Sequence, residues 1–334
     1  MNRNLEVFKM FCRMAERGAG NQLFHDDWDL LDQAFEQSLI GREMPGFWLE
    51  VPLAKEKYTD LHVCFDREQL KQGVLFQEGA GFGYQSLFDW FIEEDSGGIG
   101  LDLAHDLHGQ TGLPAAYVNV NHAPLDDTAG FFKAAGQEQL ARPVLQLMDR
   151  LPDDMAVWYL GVFPSRPSTP ARIGIAIGDP WQKVMRSHPE EFVCLLRSLG
   201  FEAVTPEMTM QMQVFAKSTY KMEMQLDVYE DGRIGDVFSL DWFVPVASGK
   251  SVRESFAKGT GLEAMQLLES WGIVDERWKR VPEAAFAQLA PLPDEDGQIA
   301  MYLLRCSPIF IKAKWQAGRL CPGKMYLQCE ARRI

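Results

Sequence analysis

Five times along the chain, one or two helical segments hand over to a pair of short alternating strands, and this order limits the fold more than any motif does. Residues 4–17 and 24–38 carry apolar side chains at helical spacing (Leu5, Phe8, Phe11, Met14; then Leu30, Leu31, Phe35), and Met44-Pro45-Gly46 closes the region. Strands are then expected at Phe47–Leu53 and Thr59–Asp66, with Leu61, Val63 and Phe65 on one face and Asp60, His62 and Cys64 on the other. A helix over Tyr84–Glu94 precedes GGIGLDLAH and AAYVNVNH; a helix over Gln137–Arg150 precedes AVWYLGVFPSR and ARIGIAIG. Helices at Pro189–Leu199 and Pro206–Lys217 lead to two long runs joined by the hairpin turn Glu230-Asp231-Gly232-Arg233. The last unit places helices at Ser251–Lys258, Gly261–Trp271 and Pro282–Leu289 before IFIKAKW and GKMYLQCEAR.

Strands joined by short turns pair antiparallel. Ten of them, each with one apolar face, need helices along that whole face. Two solutions meet this demand: separate α+β lobes, or one closed barrel inside a ring of helices. The polar faces favour the barrel. Lys221, Glu223, Gln225 and Asp227 alternate with Met222, Met224, Leu226 and Val228; Lys312 and Lys314 alternate with Ile311 and Ala313; Lys324, Tyr326, Gln328 and Glu330 alternate with Met325, Leu327 and Cys329. With helices on the apolar side, such polar faces line a lumen, and ten strands enclose one wide enough for a ligand.

An α+β, ten-stranded antiparallel barrel of five α-α-β-β repeats with helices outside and a polar interior resembles the ABBA, or PT-barrel, prenyltransferases. The resemblance spans residues 1–334 as a single barrel domain and rests on element order and strand chemistry. That family places cations and tyrosines on inward strand faces to hold a prenyl diphosphate. Lys324-Met325-Tyr326 is a K-x-Y of that kind, Lys312-Ala313-Lys314 is a K-x-K beside it, and Lys221 and Arg172 lead two further inward faces. The resemblance implies diphosphate binding by Arg172, Lys221, Lys312, Lys314, Lys324 and Tyr326. The first two repeats carry no such inward cations. As in that family, no DDxxD motif is present: Asp26-Asp27, Asp126-Asp127 and Asp153-Asp154 lack the third aspartate. No cofactor is required by the sequence, and magnesium stays open as a counterion of the diphosphate.

The chemistry follows independently. Ionising an allylic diphosphate needs fixed cations on the leaving group, exclusion of water, and π or apolar walls around the carbocation. The acceptor then needs a base. Glu50, Glu223 and Asp102 are the candidates, and Glu50 is favoured because its repeat lacks inward cations, so it should escape neutralisation by the lysines. Bland readings stand beside these. Lys312 and Lys314 also suit a solvated open sheet, Glu223 also suits a pair with Lys221 or Lys312, and Arg172 also suits an anchor for the Pro-rich turn.

Charge and cysteine usage exclude other classes. Against 33 Lys and Arg stand 47 Asp and Glu, a formal charge of -14, so nucleic acid and anionic lipid are not expected as partners. No apolar run approaches the ~20 residues of a membrane span, and Glu6, Lys9 and Arg13 interrupt the opening apolar stripe, so a cytoplasmic protein without a secretory signal is expected. Six cysteines without a CxxC pair read as reduced, packed thiols. Gly79, Gly81 and Gly83 lack dinucleotide-fold spacing and read as an entrance loop; His105 and His108 lack a third ligand for a metal. No GxSxG or Walker motif occurs. The expected function is transfer of a dimethylallyl or longer isoprenoid from its diphosphate to an aromatic small molecule or a peptide side chain. The alternatives are a non-catalytic accessory protein on the same barrel, holding a peptide or small hydrophobic anion, and an unrelated two-lobed α+β protein.

Overall fold

The computed structural model describes residues 3–19, 28–37, 46–54, 59–71, 84–93, 100–107, 113–120, 128–165, 169–219, 221–244, 249–293 and 298–334. Helices α1 (Arg3–Ala19) and α2 (Trp28–Gln37) precede strands β1 (Gly46–Pro52) and β2 (Asp60–Phe65). Then come α3 (Arg67–Lys71), α4 (Gln85–Glu93), β3 (Gly100–His105) and β4 (Ala115–Asn119). The third unit is α5 (Thr128–Ala134), α6 (Ala141–Met148), β5 (Met155–Val162) and β6 (Ala171–Ile177). The fourth is α7 (Asp179–Ser187), α8 (Pro189–Ser198), α9 (Pro206–Lys217), β7 (Met222–Val228) and β8 (Ile234–Phe243). The fifth is α10 (Gly249–Lys258), α11 (Thr260–Ser270), α12 (Val281–Ala284), β9 (Phe286–Pro293), β10 (Ile299–Gln316), β11 (Arg319–Leu320) and β12 (Lys324–Arg333).

Strands β1 to β8 pair in chain order, β8 pairs β10, β10 pairs β12, and β12 returns to β1, every pairing antiparallel. Ten strands therefore close into a barrel, as the alternation predicts; closure leaves no edge along the ring. Period-2 alternation decides the faces. Leu49, Val63, Leu103, Val118, Leu160, Ile173, Met224, Leu240, Ala313 and Leu327 point to the helices and are buried. Their neighbours in sequence point inward.

The helices hold this outer face through aromatic contacts. Phe8 of α1 stacks on Phe35 of α2 at 4.1 Å, and both meet Phe47 of β1. Thr205 caps α9 by accepting from the Met208 amide at 3.1 Å with Pro206 in the first turn, an arrangement worth about 1 kcal/mol. Trp315 of β10 donates from Nε1 to Gln211 Oε1 of α9 at 2.8 Å, tying barrel to sheath.

The last unit departs from expectation. Of the helix expected at Pro282–Leu289 only α12 forms; Phe286 onward is β9, which pairs with the first half of an 18-residue β10. The window is short enough to suit either period. A backbone partner offered by β10 settled it, and Pro291 and Pro293 fit a strand with one outer neighbour. Helices α5 and α7 were not legible as separate elements, and the segment 137–150 opens with a tight turn at Glu138–Leu140 rather than α-helix. All six cysteines are free thiols; Cys306 and Cys329, directly paired across β10 and β12, bring their sulfurs to 3.2 Å. Gly79, Gly81, Gly83 and His108 lie outside the described residues.

Candidate functional site

The pairing registers arrange the inward side chains in rungs around the lumen. Lys324, Lys312, Asp241, Glu223 and Ala176 follow one another across β12, β10, β8, β7 and β6. A second rung runs Asp60, Glu50, Tyr326, Phe310 and Phe243. A third runs Lys314, Ser239, Gln225, Gly174, Tyr159 and Asn119. The fourth holds Cys64, Asp102, Tyr117, Gly161, Arg172 and Asp227. All nine residues singled out from sequence therefore reach one interior: eight stand on these rungs, and Lys221 lies just before β7.

The cations do not stand free. Arg172 binds Asp227 through two bonds of 2.9 and 3.2 Å. Lys221 Nζ lies 3.2 Å from Glu223 Oε1, and Lys312 Nζ lies 3.9 Å from Asp241 Oδ1. Lys324 donates to Glu50 and lies 3.9 Å from Asp60. Among the described residues Lys314 alone of these five makes no ion pair. Five cations thus face the carboxyls of Glu50, Asp60, Asp102, Glu223, Asp227 and Asp241.

This corrects the expectation for Glu50. Its strand carries no cation, but barrel closure sets β12 beside β1, so Lys324 and Tyr326 both donate to its carboxylate and His62 Nε2 lies 3.4 Å from Oε2. Burial alone would raise its pKa; Lys324, with His62 and Lys312, holds it well below the usual carboxylate range. Its neighbours move the other way. Burial, with the Glu50 charge, pushes Asp60 up to about 7; burial, with the Asp241 charge, pushes Glu223 up to about 7. Burial raises Asp241 to about 6 against the pull of Lys312. Burial also raises Asp102, which accepts from Asn119 Nδ2 at 2.9 Å, and lowers Lys312 and Lys314.

Aromatic rings fill the space between the charges. Phe310 stacks on Tyr326 at 4.3 Å and meets Trp48 and Phe243, each at 5.6 Å. Lys221 Nζ sits 4.3 Å from the centres of both Trp158 and Phe243. Tyr117 and Tyr159 lie flat over Gly161 and Gly174, where a Cβ would overlap the rings. Sequence reasoning passed over His62, Asp60, Tyr117, Asp227 and Asp241 as site residues. Each lay on an inward face of the alternation, and the open signal was an acidic residue between apolar neighbours in SLDWF.

Among the described residues no three His, Cys, Asp or Glu side chains come together to hold a metal. Asp153 and Asp154 are exposed, outside the lumen, and burial pushes the His105 imidazole down to about 4, so it stays neutral at pH 7. No helix among the described residues is long and apolar enough to cross a membrane.

No protein-family model matches the sequence, and no curated protein matches it. Solved structures do. The 5-dimethylallyl tryptophan synthase from Streptomyces coelicolor, in complex with DMASPP and Trp, superposes with a TM-score of 0.54 at 14% identity, covering 98% of this chain and 95% of that one. AnaPT from Neosartorya fischeri aligns over 86% of this chain and 78% of its own at 12% identity, TM-score 0.46. The NotF prenyltransferase aligns over 99% and 95% at 12% identity, TM-score 0.41. The chain has the PT-barrel fold, as its closed ring of ten strands and the first of these superpositions show.

Proposed function

We propose that the lumen transfers an allylic isoprenoid, dimethylallyl or longer, from its diphosphate to an aromatic small molecule or a peptide side chain. One observation carries the reading: Arg172, Lys221, Lys312, Lys314 and Lys324 share a closed interior with the rings of Tyr326, Phe310, Phe243, Trp158 and Tyr159. Cations fixed on the inner face of the barrel stabilise the charge that gathers on a departing diphosphate. Ring faces stabilise the allylic cation left behind. The acceptor's proton also needs a base, a role for which the sequence favours Glu50. Asp102, bonded to Asn119, and Glu223, paired with Lys221, are the alternatives. The likeness to an enzyme whose complex holds DMASPP and Trp supports this choice of donor and acceptor class.

The paired carboxylates are compatible with this role. An incoming diphosphate competes with Asp241 for Lys312 and with Glu223 for Lys221, and both carboxyls sit near neutral pKa values, so proton uptake by them frees the lysines at small cost. The purified protein incubated with dimethylallyl and geranyl diphosphates and a panel of aromatic and peptide acceptors should yield prenylated product by mass spectrometry. Absence of donor consumption with every acceptor would sink the reading.

The near balance of lumen charge favours one second reading, a non-catalytic protein that binds a peptide or a small hydrophobic anion. It requires binding of the donor without turnover.

A further inference from the structure

Glu50 is poorly placed to act as a base. Its Oε1 accepts from Lys324, its Oε2 accepts from Tyr326, and the His62 Nε2 approaches Oε2 at 3.4 Å. A carboxylate ringed by three donors has few lone pairs left for a substrate, and its proton affinity falls. His62 has the complementary character. It faces the lumen from β2, its side chain is 18% exposed, and its ring is set by Tyr117, stacked at 6.1 Å, and Tyr326, edge-on at 5.8 Å. With Nε2 turned to Glu50, a neutral imidazole carries its proton there and keeps a lone pair on Nδ1.

The wall around His62 also suits an acceptor rather than a diphosphate. No Lys or Arg occurs in β2, β3 or β4, whereas the lumen cations stand on or beside β6, β7, β10 and β12. Among the described residues the titratable groups that face this wall are Asp60 and Cys64 of β2, Asp102 of β3, Tyr117 of β4, Glu50 of β1, and Lys324 and Tyr326 of β12, while His105, paired with Leu61, lies on the helix side of β3. Asp102 is raised by burial and bonded to Asn119, and Asp60 shares Lys324. His62 combines an orienting carboxylate on Nε2 with an Nδ1 available to a substrate.

We infer that His62, oriented by Glu50, is the catalytic residue that takes the acceptor's proton. This rests on the prenyl-transfer reading. The allylic C–O bond breaks and its electron pair leaves with the diphosphate. A π pair of the acceptor ring forms the new C–C bond, and the arenium so formed gives its proton to His62 Nδ1 while the C–H pair restores the aromatic ring. The imidazolium is balanced by Glu50 at 3.4 Å.

The test uses wild type, His62→Ala and His62→Gln with dimethylallyl diphosphate and the acceptor that the panel identifies. Both variants should bind inorganic pyrophosphate as wild type does and lose at least ~100-fold in product formation, in kcat rather than KM. Free imidazole should restore product formation by His62→Ala, whose truncation leaves room for it, and leave His62→Gln unchanged. The 15N shifts of wild-type His62 should place the proton on Nε2, and Glu50→Gln should disturb them. Product formed by His62→Ala at the wild-type rate, or a proton on Nδ1 in wild type, overturns the assignment. A wild-type protein that consumes no donor overturns the transfer reading beneath it.

Discussion

Lys324 donates to Glu50 across 274 residues of sequence, joining the last strand of the barrel to the first. The contact lies at the seam where the ring closes, and the same carboxylate accepts from Tyr326 two residues further along β12. Seam and site are one structure, so the chemistry of Glu50 depends on barrel closure.

Removing the lysine leaves a carboxylate short of compensation in a buried setting. Lys324→Met should cost about 2 kcal/mol, the scale of a charge-assisted bond, and Glu50→Gln in the same chain should recover most of that loss. Urea unfolding of both single variants and the double variant checks this; additive losses would mean that the pair contributes no coupling.

Gly161 and Gly174 are seats for tyrosine rings. A methyl at either would enter the ring of Tyr117 or Tyr159, each the direct cross-strand partner of its glycine. Gly161→Ala should destabilise by about 1–3 kcal/mol as the ring is forced aside, and Tyr117→Ala should remove the penalty of the alanine. A Gly161→Ala variant with wild-type melting behaviour would place Tyr117 elsewhere.

Stability should rise as the solution is acidified from about pH 7.5 to about pH 5. Asp60 and Glu223 are pushed up to about 7, and Asp241 to about 6. A carboxyl raised on folding keeps its proton where the unfolded chain has released it, so its stabilisation is complete below the unfolded value and lost as pH climbs through the folded one. His105, lowered to about 4, opposes this between about 4 and 6.5. Three groups outweigh one. Below pH 4.5 the loss of Glu50, held low in the fold, reverses the trend. Denaturant midpoints across this range check the sign, and Glu223→Gln with Asp241→Asn should flatten the slope.

Pyrophosphate binding should separate the free cation from a paired one. Lys314→Ala should weaken it by about 1–3 kcal/mol, because Lys314 has no ion pair to lose among the described residues. Asp241→Asn should strengthen it, since Lys312 is then released from its 3.9 Å partner. Calorimetry at pH 7 reads both; weakened binding in Asp241→Asn would mean that the carboxylate positions the lysine for the anion.

By itself the sequence determined the barrel wall and its two faces. Strict alternation in runs such as Lys221-Met222-Glu223-Met224 leaves a strand one way to bury its apolar set, and five such pairs with helices between them leave one closed arrangement that keeps the polar set together. It therefore placed Arg172, Lys221, Lys312, Lys314, Lys324 and Tyr326 on one interior. It did not decide what each meets there. Glu50 sat in a repeat without cations and nonetheless acquired Lys324, because the partner across a closing seam lies at the far end of the chain and no local pattern encodes that register. The same holds for β9: residues 286–289 suit helix or strand, and the backbone partner that β10 offers in three dimensions chose between them. Local periodicity fixes which way a side chain points; only closure of the ring fixes which charge stands opposite it, and with it the basicity of every carboxyl in the lumen.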